Sequence, residues 1–195
     1  MTKWLSFLAL ASALALPSTA YATENEWHVG GALGYGMLVS SLGPIHGAGA
    51  DFQVRYGLTD SFDLRFDWRV SGYPSQRLVP EPDPAAPDVP PPEPVQLRDI
   101  LMADTAAGVS YLLDVGRWIP HLGFQVGVAD VMVIGCEDDP AACTHSVHAT
   151  LGIPGGLEVR TYGPLVLGVH VTYRFLLAGD PGGSLFTGAY FALIP

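Results

Sequence analysis

Lysine is nearly missing from this 195-residue chain. Lys3 is the only one, and Lys and Arg together number 9 against 19 acidic residues. A nucleic-acid-binding surface needs clustered Lys and Arg, so that class is excluded. Charge of either sign is scarce, at 14% of residues, while 49% are hydrophobic. That apolar fraction excludes a disordered chain, and the length suits one domain. No stretch of 18 or more uninterrupted apolar residues follows the N-terminal segment, which excludes a transmembrane helix there. Cysteine is limited to Cys136 and Cys143. What abounds is Gly (23) and Pro (17); both penalise helix interiors and argue against a helical bundle.

Residues 1–22 read MTKWLSFLALASALALPSTAYA. Lys3 supplies a positive start, an apolar run extends to Leu16, and Ala20-Tyr21-Ala22 is a small-x-small cleavage site. This is the pattern of a secretory signal peptide. The run is shorter than the roughly 20 residues needed to span a bilayer, and it stops at Pro17. Residues 23–195 then form the exported domain, in which 8 Arg against 19 acids leave a net charge of -11. An oxidising compartment favours a Cys136–Cys143 disulfide, and closing so short a loop adds about 2–3 kcal/mol. Two Cys without a spaced His pair make a weak zinc signal by comparison.

Period-two alternation dominates the exported part. In residues 51–58, Phe52, Val54, Tyr56 and Leu58 oppose Asp51, Gln53 and Arg55. After a short polar turn, Phe62, Leu64, Phe66, Trp68 and Val70 oppose Asp63, Arg65, Asp67 and Arg69. A helix would scatter these residues round its circumference, whereas a strand sorts them onto two faces. The pattern predicts an antiparallel hairpin. Weaker alternation over 27–39, 101–113, 122–128, 147–160, 165–175 and 185–194 brings the total to eight strands. The last of these is apolar on both faces and its orientation stays open. Pro154-Gly155-Gly156 predicts a bulge or kink in the sixth strand. Long or irregular connectors (40–47, 72–97, 135–145, 178–183) alternate with tight ones (59–61, 114–117, 161–164), as in an up-and-down barrel of an outer membrane.

One face carries Phe, Leu, Val, Tyr and Trp; the other carries Gly, Ala and charged residues. An eight-stranded barrel has an interior just wide enough to be filled by side chains, which explains the small residues. The charged set is balanced. Asp51, Asp63, Asp67, Asp104 and Glu158 stand against Arg55, Arg65, Arg69, Arg160 and Arg174. Five against five predicts mutual pairing inside, where a lone charge is expensive. The apolar face then points to lipid, and Trp27, Tyr56, Trp68, Tyr111, Trp118, Tyr162 and Tyr173 are candidates for interfacial belts. The competing reading is a secreted soluble barrel in which Arg65, Asp67 and Arg69 form a solvated face.

The hairpin DFQVRYGLTDSFDLRFDWRV (residues 51–70) resembles those of small eight-stranded bacterial outer-membrane barrels, the family of the outer-membrane protein A transmembrane domain and its porin-like relatives. The resemblance implies an all-β, eight-stranded antiparallel up-and-down transmembrane barrel. It also implies outer-membrane lipid and the outer-membrane assembly machinery as partners. Such barrels commonly end in an aromatic residue, whereas this chain ends Tyr190-Phe191-Ala192-Leu193-Ile194-Pro195.

Signals of chemistry are few. Residues 80–94 hold eight prolines and four acids, a composition that favours an extended polyproline II arm. This arm is read either as a surface contact for an unspecified partner or as a solvated spacer. Glu137-Asp138-Asp139 matches no known calcium-loop spacing. Ser146 and His148 share a strand face, but alternate Cα atoms lie about 6–7 Å apart and no third group is identifiable to complete a hydrolase site. The sequence offers no cofactor or metal site. The expectation is a non-enzymatic barrel with a polar, filled lumen, acting in envelope structure or surface contact through its loops. The alternatives are a narrow solute or ion channel, a lipid-modifying enzyme and a secreted binding barrel.

Overall fold

The computed structural model of the chain describes residues 24–78, 95–96, 98–113, 115–134, 143–161, 163–177 and 182–195. The alternating segments become long strands: β1 (Trp27–Ser40), β2 (Gly43–Thr59), β3 (Phe62–Tyr73), β6 (Asp99–Leu112), β7 (Trp118–Ile134), β8 (His145–Arg160), β9 (Leu165–Leu177) and β10 (Gly183–Leu193). Between β3 and β6, the two-residue strands β4 (Arg77–Leu78) and β5 (Val95–Gln96) pair as a separate ribbon. The expected signal peptide, the proline-rich stretch 79–94, Tyr162 and residues 135–142 with Cys136 lie outside the described residues. The expected disulfide therefore has one end outside them.

Each long strand pairs antiparallel with the next, and β1 pairs with β10 from Val29–Leu193 to Val39–Gly183. The sheet is an all-β, eight-stranded closed barrel. Closure removes the free edges and satisfies the strand backbone within the sheet, which hydrocarbon demands of any spanning β-structure.

The decisive observation is which face is covered. In β3, Phe66 and Trp68 are 45% and 51% exposed, whereas Arg65 and Asp67 are 2% and 0% exposed. The same sorting holds round the barrel, with Leu33, Leu122, Phe124, Val126, Val147 and Val169 among the outward residues. So much contiguous apolar surface is untenable in water and calls for lipid. On β2 the outward residues His46 and Tyr56 lie ten positions apart. At about 3.3 Å per residue and a tilt of about 40°, that spans about 25 Å along the bilayer normal, the height of an apolar barrel band. Trp27 packs on Tyr56 and Phe62 on Tyr111, with centroids 4.8 and 5.3 Å apart, at the short-turn end. Trp68, by contrast, sits mid-strand, between Phe52 and Thr105, and not in a belt.

Several expectations need correction. The loop foreseen over 40–47 is a tight turn through Ser41 and Leu42, completed by Gly43 with φ of 121°. The start of β2 carries Pro44 and His46 outward and Ile45 inward, amid Gly47, Ala48 and Gly49, so its alternation has little contrast. Pro44 is tolerated because it lies at the strand's beginning beside the turn. Connector 178–182 is no longer than 113–117, so the length asymmetry rests on 74–98 and 135–144. Pro154 causes no register shift: Leu122–Gly155 and Gln125–Gly152 keep one register, and the β7–β8 ladder only skips the two rungs between. Proline lacks an N–H to give to a ladder, and the flanking pairs keep the register on either side of it. The register shift falls instead between Gly57 and Thr59 in the β2–β3 hairpin. In β10, Ser184, Phe186, Tyr190 and Ala192 face inward, and Phe191 and Leu193 outward.

A charge placed on the outer face tests this orientation. Trp68→Arg is expected to destabilise the barrel by about 2–4 kcal/mol near the bilayer midplane, read as a shifted urea midpoint in phospholipid vesicles. An unchanged midpoint would contradict a lipid-facing Trp68.

Candidate functional site

The inward side chains divide the lumen into layers. Toward the end that bears the connectors 74–98 and 135–144, an apolar layer is built from Leu38, Ile45, Tyr73, Met102, Val131 and Leu176. Tyr73 lies over glycines of the two neighbouring strands: a Cβ at Gly47 would lie 2.6 Å from its ring, and one at Gly36 would lie 3.1 Å from its hydroxyl. Small residues on one wall thus make room for a large one from another.

Below this layer lies the charged set. Asp51, Arg69, Asp104, Arg174, Asp67 and Arg65 form a chain across the middle of the lumen. Arg69 reaches Asp51 at 3.2 Å and Asp104 at 4.0 Å. Arg174 contacts Asp104 and lies 3.6 Å from Asp67. Arg65 donates through Nε to Asp67 at 2.8 Å, and Gln125 donates to the same carboxylate at 2.6 Å. The Arg69 guanidinium also lies 4.5 Å from the Phe186 ring centroid, a cation–π contact that is strengthened by exclusion of water.

A second group sits nearer the short turns. Arg55 donates to Glu158 at 2.8 Å, to the Tyr190 hydroxyl at 3.1 Å and to Asp63 at 3.4 Å. The tenth predicted residue, Arg160, stands at the mouth and pairs at 2.6 Å with Glu26. Planar, multiply donating guanidinium groups suit such shared contacts better than ammonium groups would, in keeping with a barrel that contains no lysine.

Other side chains join these groups, and the alternating pattern alone did not single them out. His121 links them, 3.4 Å from Arg65 and 3.5 Å from Glu158. His170 Nε2 lies 3.0 Å from Arg65, and its Nδ1 shares a hydrogen bond of 2.7 Å with Gln53. His28 and Glu26 approach to 3.7 Å at the mouth. All but Glu26 fall at inward positions of the alternation, and that was the available signal; Glu26 lies just before β1. Among the described residues, an interior cavity bordered by His28, Arg55, Asp63 and Glu158 measures about 10 Å³, about enough for one water molecule.

The remaining candidates stand apart. Ser146 and His148 do meet, with Oγ and Nε2 2.9 Å apart, because both side chains lean across the strand rise that was expected to separate them. His148 points into the lumen, whereas His145 points outward and pairs with Asp130 at 2.7 Å. Glu137-Asp138-Asp139 lies outside the described residues. Among the described residues, no cluster of three or more His, Cys, Asp or Glu is placed to hold a metal.

No protein-family model matches the chain, and no curated protein does. Solved structures do. Neisserial surface protein A is 16% identical, with 86% of this chain and 96% of that chain covered and a TM-score of 0.61. The outer membrane protein OprG of Pseudomonas aeruginosa is 9% identical (88% and 94% covered, TM-score 0.56). Ail, the attachment invasion locus protein of Yersinia pestis, is 11% identical (88% and 99%, TM-score 0.54). The likeness is one of fold, and that fold is the eight-stranded outer-membrane barrel.

The pairing carries a testable asymmetry. Asp67→Ala leaves Arg65 and Arg174 short of their shared anion and is expected to cost about 3–5 kcal/mol, while the double replacement Arg65→Met/Asp67→Leu costs less. Unfolding midpoints of the two variants in vesicles decide the matter: an Asp67→Ala variant as stable as the parent would show that the charges do not hold one another.

Proposed function

We propose that this chain is a non-enzymatic barrel of the bacterial outer membrane, with its lumen plugged by its own side chains, serving envelope structure or surface contact through its extracellular connectors. In this reading residues 1–22 are the export signal, Cys136 and Cys143 close a disulfide after export, and the outer-membrane assembly machinery inserts the barrel into lipid. The observation that supports it most is the row of Arg69, Arg174, Asp67 and Gln125 across the middle of the lumen, all nearly or fully inaccessible to solvent. A conducting pore would need a continuous wet path past those groups.

The connectors 74–98, 135–144 and 178–182 are where outside contact would occur. They hold Glu81, Asp83, Asp88, Glu93, Glu137, Asp138, Asp139 and Asp180 against Arg77 and Arg98. Such an excess of anions favours a cationic partner and repels a polyanionic one. Ail carries the name of an attachment and invasion protein and has also been crystallised with a heparin analogue; this supports a surface-contact role for the fold, though the acidic connectors here point to a partner of the opposite charge.

Planar-bilayer recording separates the readings. The purified barrel, shown to be folded by a heat-dependent shift in gel mobility, is expected to give no unitary current steps. Regular steps of constant conductance would replace the plugged barrel with the channel.

A further inference from the structure

The outer face is not uniformly studded. Two neighbouring rows cross β1, β2, β3 and β6 near the short-turn end. One runs Trp27, Tyr56, Leu64, Val109, and the next runs Val29, Val54, Phe66, Ala107. Ala107 is the small residue among them, flanked in register by Phe66 and by Val126. Where its short side chain ends, the surface drops into a groove of about 500 Å³, walled by Trp27, Tyr56, Leu64 and Phe66. That volume lies within the range of small-molecule sites, ~300–1,000 Å³.

Two features point to its occupant. The groove is continuous with the lipid-facing belt, and its outward wall side chains offer carbon almost throughout, so it selects by shape and dispersion rather than by hydrogen bonding. Its one polar end is fixed. The Tyr56 hydroxyl donates to Asn25 Oδ1 at 2.9 Å and the Tyr56 ring packs on Trp27, so both rings stand as a rigid wall at the interfacial line. Indole and phenol rings favour the headgroup level. A molecule with a polar head at that line and an unbranched apolar tail extending into the band fits both features.

We propose that this groove is a phospholipid site, holding one acyl chain of a lipid from the periplasmic leaflet more tightly than the surrounding bilayer lipid is held. The site rests on the outward orientation of the apolar face, not on the plugged lumen, so current steps in the bilayer experiment would leave it standing.

Native mass spectrometry of the full exported chain, extracted in mild detergent, tests it. The parent protein is expected to retain one phospholipid. Ala107→Trp, which fills the groove, should lower that occupancy at least fivefold. Val169→Trp, on β9 across the barrel, should leave it unchanged; a heat-dependent gel shift verifies that each variant is folded. Equal lipid retention by the parent, Ala107→Trp and Val169→Trp would overturn the site. So would a lipid-free dimer of the parent that Ala107→Trp dissociates, which would mean that a second copy covers the groove.

Discussion

A closed sheet of eight strands has two surfaces with opposite needs. Its outer face must be apolar if it meets hydrocarbon, and its inner face encloses a space too narrow for bulk water. Once lipid claims the large apolar side chains, the inward positions must be filled with what remains, and here that includes five carboxylates and five guanidinium groups from five strands. A buried charge without a partner is costly, so these groups are tolerable only as a set. The structure meets this requirement with arginines that touch more than one acceptor. Arg55 reaches Glu158, Asp63 and Tyr190; Arg69 reaches Asp51 and Asp104; Arg174 reaches Asp104 and Asp67. His121 ties the lower group to the middle one.

This arrangement links stability to function. The contacts that neutralise the lumen also fill it, so the interior braces the barrel from within. The groups it joins are far apart in sequence: Arg55 meets Glu158, and Arg65 meets His170. Each such contact holds one wall of the barrel to another.

The sequence was most readable where large apolar and charged residues alternate. In residues 51–70 the two faces differ so strongly that strand, hairpin and orientation all follow from the pattern. It was least readable where the interior itself turns apolar. Leu38, Ile45, Met102, Val131 and Leu176 line the inner face near the long connectors, so the start of β2 lacks the polar–apolar contrast that marks a strand, and most of the stretch expected to loop over 40–47 belongs to β2. The orientation of β10 was hidden for the same reason, since Phe186, Tyr190 and Ala192 face inward opposite Phe191 and Leu193. The ionisable groups could be assigned to the lumen by parity alone. Their partners could not, because pairing across a barrel depends on strand tilt and register, which no local stretch encodes. For the same reason nothing local in the sequence marks Glu26, His121 and His170 as members of the set.

The greasy face meets lipid while the charged face is enclosed, and Trp68 reports on that orientation directly. With Trp27 and Trp118 replaced by Phe, residues 23–195 carry one tryptophan, in the middle of β3. In vesicles whose acyl chains are brominated near their midpoint, Trp68 fluorescence is expected to be strongly quenched and to stay insensitive to aqueous iodide. Quenching by iodide with no effect of the brominated lipid would place Trp68 away from the hydrocarbon and contradict the account.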